Sequence, residues 1–205
     1  MVLNLTEASS LAIIDRQLGA VQASISPAQY EIIRQVIYHT ADLEYQSLLQ
    51  FSDGALAKGA AALTTAIPII VDVPEVQVSV VPHLQKTFAN PVYCCATNAS
   101  ETDISTSKAA NGLEILSSRY PNSIFILGQD QAALVKMIDM MQNKTIEPSL
   151  AIATAPMFIE SAAKQKLKNS YTPKIYINSS KGGANVASAI FNSLINLAWR
   201  AKQGH

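Results

Sequence analysis

Few side chains in this chain have the chemistry to do catalysis, and they are scattered. There are three histidines, His39, His83 and His205, and two adjacent cysteines, Cys94 and Cys95. His205 is terminal, and His83 follows Pro82 in what the sequence suggests is a loop. His39 ends an apolar helical stripe. An imidazole there can donate and recover a proton near neutrality, although by type alone it reads first as a packed residue or a partner of the helix dipole. The cysteines sit inside an apolar run where successive side chains face opposite sides of a strand, so they read as two ordinary buried thiols. Lys108, Lys164 and Lys181 could gather round an anion, and Ser179-Ser180-Lys181-Gly182-Gly183 could offer backbone N–H groups and a positive helix end to a carboxylate or phosphate. A tight turn that needs glycine's freedom explains the same glycines equally well.

The elements that must position these residues fall into two parts. The first is helical. Thr6 can cap a helix carrying Leu11, Ile14 and Leu18 before Gly19 stops it. Ser26-Pro27-Ala28-Gln29 is a capping box with proline at the first helical position, and the helix it opens carries two adjoining stripes, Tyr30, Ile33, Ile37 and Ile32, Val36, His39. An alanine-rich helix follows from about Asp53 to Thr65. The second part alternates short β-prone runs with helix-length segments. The strands are expected at Ile69 to Val71, Val92 to Ala96, Ser123 to Leu127, Leu150 to Ala153 and Lys174 to Ile177. Helices are expected near Ser105 to Ser118, Gln131 to Gln142, Phe158 to Lys168 and Gly183 to Arg200. Pro74 to Pro82 fits either type, since Val76, Val78 and Val80 alternate like a strand. The expectation is a single α/β domain over residues 1–205: three layers, with a mainly parallel, about five-stranded sheet flanked by helices and preceded by N-terminal helices.

Ligands of open α/β sheets bind beyond the carboxyl ends of the strands. The residues there are Asp72, Thr97-Asn98, Gly128-Gln129, Thr154 with Pro156, and Asn178 to Lys181. This rim is polar but has no carboxylate pair, no cysteine–histidine cluster and no nucleophile-elbow serine. Asp72 there reads as a helix cap. Composition narrows the partners further. Fifteen acidic residues balance fifteen basic ones, so no overall field holds nucleic acid or an anionic membrane. Apolar residues make up 49% of the chain and charged ones only 15%, a balance that a large buried subunit interface would relieve. No apolar run spans a bilayer and no basic leader precedes one, so a cytoplasmic protein is expected.

Taken in order, the segments resemble the precorrin-8X methylmutase family of corrin (vitamin B12) biosynthesis from about Glu7 to Ala198. Ser10-Leu11-Ala12-Ile13-Ile14 is similar to the family's serine-aromatic-x-Ile-Ile segment, and Ile37-Tyr38-His39-Thr40-Ala41-Asp42-Leu43-Glu44-Tyr45 to its His-Ala-Thr-Gly-Asp-Pro-Glu-Phe stretch. Ala62-Leu63 and Ala66-Ile67-Pro68-Ile69-Ile70-Val71-Asp72 follow its Ala-Leu and Gly-Ala-Pro-Ile-x-x-Asp. Gly128, Ala133-Leu134, Phe158, Lys164, Asn169-Ser170-Tyr171, Gly182-Gly183 and Asn192-Ser193-Leu194 come next in the family's order and spacing.

The resemblance implies an isomerase that moves a methyl group from C11 to C12 of a corrin precursor without metal or cofactor. It implies a homodimer with the site at the subunit interface, His39 as proton donor, and substrate contacts at Ser10, Lys108, Gly128, Gln129, Lys164, Lys181, Gly182 and Gly183. Parts of the rim depart from the family. An arginine becomes Lys108, which loses the planar fork for carboxylates, and a Gly-Asn turn becomes Gly128-Gln129. Gly-Arg-x-Gly-Gly-Ser becomes Ser179-Ser180-Lys181-Gly182-Gly183-Ala184, Met-Val becomes Glu75-Val76, the arginine after Ile-Ile becomes Asp15, and the glycine shortly after the histidine is missing. Those changes also fit a paralogue that binds a tetrapyrrole or other polycarboxylate without rearranging it. An unrelated phosphate-binding protein would rest on Gly182-Gly183 alone.

Overall fold

The computed structural model describes residues 5–19, 25–99, 107–157 and 162–204. Its elements in chain order are α1 (Leu5–Leu18), α2 (Pro27–Thr40), the short α3 (Tyr45–Leu48), β1 (Leu49–Phe51), α4 (Ala55–Thr64), β2 (Ile69–Val71), α5 (Pro74–Gln85) and β3 (Val92–Cys94). There follow α6 (Lys108–Arg119), β4 (Ile124–Leu127), α7 (Gln131–Gln142), β5 (Leu150–Ala153), α8 (Ala162–Asn169), β6 (Lys174–Ile177) and α9 (Ala184–Gln203).

One six-stranded sheet runs β1-β6-β5-β4-β2-β3. The five expected strands are all parallel neighbours, with Ile69 opposite both Val92 and Ile124. Their relative order, 2-1-3-4-5, is one of the two common doubly wound arrangements, and the chain reverses direction across the sheet between β2 and β4. Strands β2, β4 and β5 are buried along their whole length. That is why they read as continuous apolar runs instead of alternating ones.

The sixth strand was not foreseen. β1 pairs antiparallel with β6, Gln50 opposite Tyr176, and Ser52 closes the pair through its amide to Lys174 O (2.9 Å) and its hydroxyl from Lys174 N (2.8 Å). Three residues with a glutamine in the middle leave no periodic trace, so the strand exists only because β6 offers it an edge.

Helices cover both faces. One apolar cluster joins α1, α2, α4, α5 and α9 to one face, and a second joins α6, α7 and α8 to the other. Cys94 belongs to the first cluster and Cys95 to the second, as opposite-pointing strand neighbours must.

Pro74 to Pro82 is helical, and His83 lies in the helix, not in a loop. Val76, Val80 and Leu84 are buried at helical spacing while Val78, which made the pattern alternate, is 73% exposed. Pro82 deprives the Val78 carbonyl of its helical partner, and solvent at that exposed position can replace it. Two helix starts also differ from the sequence reading. Thr6 lies inside α1, where its carbonyl accepts from Ser10 Oγ (2.9 Å). Lys108 opens α6, with Ser107 as the cap accepting from Ala110 N (3.1 Å). Ser105, Thr106, Phe158 and His205 lie outside the described residues.

Candidate active site

α2 places His39. Its capping box forms as the sequence requires: Ser26 Oγ accepts from Gln29 N (3.2 Å) and Gln29 Oε1 accepts from Ser26 N (3.0 Å). Tyr30, Ile32, Ile33, Val36 and Ile37 then bury both stripes. His39 is the one stripe member left exposed, in the last turn. Its backbone carbonyl accepts from Asn185 Nδ2 of α9 (3.0 Å), and its ring meets Tyr38 edge to face with centroids 5.2 Å apart.

Ala41 ends the helix in the left-handed conformation at φ 54°, its N–H returning to Ile37 O (2.8 Å). The chain then turns on side-chain bonds, Asp42 N to Thr40 Oγ1 (3.3 Å) and Glu44 N to Asp42 Oδ1 (2.9 Å). That turn presents two carboxylates to the β6–α9 loop. Lys181 Nζ lies 2.6 Å from Asp42 Oδ2 and 2.9 Å from Glu44 Oε2. These bonds hold Asp42 below the usual carboxylate range and Lys181 above the usual lysine value. Both groups are largely in water, so the pair is a latch between two loops more than a source of stability.

Two cavities meet at His39. One, of about 500 Å³, opens over the carboxyl ends of β5 and β6 and is lined by Thr40, Asp42, Tyr45, Pro156, Lys181, Gly182 and Asn185 as well as His39. The other, of about 480 Å³, is a groove whose floor is α9 and whose walls are α2 and α5. Glu31, Arg34, Gln35 and His39 come from α2, Ser79 and His83 from α5, Asn192, Asn196 and Arg200 from α9, and Glu7 reaches in from α1. Partial burial pulls the His39 imidazole below the ordinary histidine pKa. Glu7 opposes that shift, and His83 adds to it. The ring is thus a weakly held acid with open space on two sides.

The other residues expected at the site divide. Lys181 and Gly182 join His39 at the rim cavity. Gly182 (φ 145°) could carry no side chain, because a Cβ would lie 1.9 Å from Thr154 O. Gly183 caps α9 and donates to Thr154 O (2.8 Å). Lys164 fastens loops instead of projecting into either cavity, donating to the Met157 and Ser179 carbonyls. Gly128 is a packing glycine: a Cβ would meet Ala187 Cβ and Val76 Cγ2 at 3.0 Å and Ala184 Cα at 3.1 Å. Gln129 reaches the start of α9, its Oε1 3.4 Å from Ala184 N. Ser10 and Lys108 line neither cavity.

Asp72 departs from its expected role. It caps no helix, since α5 begins after Val73 with no side-chain cap. Its carboxylate instead accepts from Gln129 N (2.6 Å), Asp130 N (2.7 Å) and Val73 N (3.0 Å). Burial raises its pKa, and the backbone bonds pull the other way. The crevice between β2 and β4, where doubly wound sheets commonly bind ligands, is therefore filled by a structural carboxylate. The chemistry moves to the β5–β6 end. A wider opening of about 820 Å³ lies at the amino ends of the strands, beside Lys58, Lys144, Pro148 and Tyr171. It has no histidine and no rim loop, so it is not the candidate site.

The groove residues His83, Asn192, Asn196 and Arg200 were not singled out as site residues from sequence. A faint signal exists, since Asn192, Asn196 and Arg200 are spaced by four along α9.

Comparison with known proteins bears on the fold and the family. A sequence model of the family described as CbiC, precorrin-8X methylmutase, matches residues 6–197. The cobalt-precorrin-8 methylmutase of Synechocystis sp. is 30% identical, the match covering 93% of this chain and 94% of that protein. That of Salmonella typhimurium is 29% identical, covering 92% of each. The crystal structure of precorrin-8X methylmutase from Thermus thermophilus superposes with a TM-score of 0.84 at 25% identity, covering 98% of this chain and 100% of that one. With the fold and the match along nearly the whole chain in agreement, this chain belongs to the precorrin-8X methylmutase family, a family of isomerases.

Proposed function

We propose that this chain moves the methyl group of precorrin-8X or its cobalt form from C11 to C12, with His39 as the proton carrier. The observation that carries this reading is His39 itself, an accessible imidazole at the junction of two cavities, with its hold on a proton weakened by burial. In the reaction the C11–methyl bond breaks as the C12–methyl bond forms, and no atom is gained or lost. A proton lent to the conjugated ring eases the shift and returns to His39 afterwards. The protein's remaining task is to hold a reactive macrocycle in one orientation.

A tetrapyrrole with its carboxylate arms is larger than either cavity, which supports a site completed by a second copy of the chain. The homodimer reading is tested by sedimentation velocity. A dimer mass at micromolar concentration supports it, and a monomer mass up to the concentration used for turnover rejects it.

The binding-only alternative keeps one specific support. Lys181, which could have met a substrate carboxylate, is already held by Asp42 and Glu44. Mixing purified protein with precorrin-8X separates the two readings. Appearance of the conjugated corrin chromophore supports the mutase, and tight binding with an unchanged absorption spectrum supports the binding protein.

A further inference from the structure

The groove behind His39 holds a second imidazole that the proposed chemistry leaves unused. His83 stands on α5, across the groove from α2. Its Nδ1 is buried without a hydrogen-bond partner among the described residues, and so is Asn192 Oδ1 on the groove floor. The Asn192 amide is oriented by Ser79, its Nδ2 lying 3.4 Å from Ser79 O and 3.3 Å from Ser79 Oγ. Buried polar atoms are nearly always paired, so an unpaired imidazole nitrogen beside a catalytic groove calls for a reason. α5 and α9 each leave the carboxyl end of a strand in the same parallel sheet, so they run the same way. The Ser79–Asn192 contact then sets His83, one turn further along α5, level with Asn196, within the groove that His39 closes at its upper end.

We propose that His83 is a positioning residue for the acid–base step: facing His39 along the shared groove, its charge adjusts how tightly His39 holds a proton. The inference rests on reading His39 as the proton carrier. Two imidazoles on one groove take up their protons in coupled steps, and a proton on His83 works against one on His39. Glu7 of α1 works in the opposite direction.

The other charged groups facing the pair are partly spoken for. Arg34 of α2 lies 3.0 Å from Glu31 and 3.2 Å from Asp15. Arg200 of α9 lines the groove, and on the rim side of His39 Lys181 is shared by two carboxylates, Asp42 and Glu44, a cluster with one negative charge in excess. Glu75 and Lys86, on α5 or at its end, do not line the groove. Across the groove from these groups stands the His83 ring, its Nδ1 unpaired among the described residues. A looser hold makes His39 the stronger acid and favours transfer to the macrocycle.

The test follows the histidine ring protons by NMR across pH in the full chain without substrate, for wild type, His83→Gln and His83→Lys. His83→Gln removes the opposing charge and is expected to raise the His39 midpoint by about half a pH unit. His83→Lys keeps a positive charge and is expected to leave the midpoint at or below wild type. The wild-type protein gives a second reading that needs no variant, because its His39 curve should inflect a second time where His83 titrates. In turnover, the alkaline limb of kcat/KM should move up with the His39 midpoint in His83→Gln. An unmoved midpoint in a folded His83→Gln, an equal shift in both variants, or a single-step wild-type curve each overturns the proposal. Failure of the parent reading looks different: the titration coupling is present, but wild type leaves precorrin-8X unchanged.

Discussion

At the scale of single residues, two opposing effects act on His39. Desolvation by the groove walls favours the neutral ring, while Glu7 favours the charged one, and desolvation wins. If the charged ring is the donor, the free enzyme loses it as pH rises through a pKa lying below the ordinary histidine value of about 6.5. The profile of kcat/KM against pH should therefore be level on the acid side and fall about tenfold per unit above that depressed pKa. A limb lying above the ordinary histidine value would mean that another group limits the reaction. The sequence showed His39 only through the segment around it, because a histidine ending an apolar stripe is usually packed. Its exposure beside buried Ile32 and Val36 distinguishes it in three dimensions. His83 was hidden for a different reason. The alternating valines and Pro82 disguised its helix, and its neighbours Asn192 and Arg200 lie more than a hundred residues further along the chain.

At the scale of elements, two junctions lend themselves to substitution: the left-handed end of α2 and the buried carboxylate after β2. Ala41 adopts a left-handed conformation that glycine takes without steric cost. Ala41→Gly should stabilise the protein by about 0.5–1 kcal/mol against denaturant, since the steric relief outweighs the added freedom of the unfolded chain. A fall in stability would show that the α2 C-terminus is not held in that conformation. Asp72 binds the ends of β2 and β4 together. Asp72→Ala leaves the amides of Gln129 and Asp130 without their buried carboxylate acceptor, and about 2–5 kcal/mol of stability should be lost. A cost under about 1 kcal/mol would place water or another acceptor there.

The central parallel strands β2, β4 and β5 were legible because each is a continuous apolar run buried along its whole length. β1 was not, because three residues around Gln50 become a strand only through the edge of β6. The rim loops were legible as a set. Which of them face His39 was not, because that depends on α2 and α9 lying side by side, as the Asn185 bond to the His39 carbonyl shows.

At the scale of the whole molecule, the proposed site lies at one end of the sheet's rim. The crevice at the reversal point is closed by Asp72, and the open space lies between the β5 and β6 loops and the groove over α9. Among the described residues no helix is long and apolar enough to cross a membrane, and the formal charge sums to zero, so anionic arms of a substrate must be met by local donors. The proposed second subunit over this end would account for both the sparse surface charge and a substrate too large for either cavity. The account stands or falls on whether His39 carries the proton of a methyl shift. The most direct measurement is single-turnover conversion of precorrin-8X, followed by absorbance, with wild type and His39→Ala, alongside binding of the same compound. The account predicts a rate lowered by about 10²–10⁴-fold with binding changed far less. Wild-type rates in His39→Ala, or equal losses of rate and binding, would contradict it.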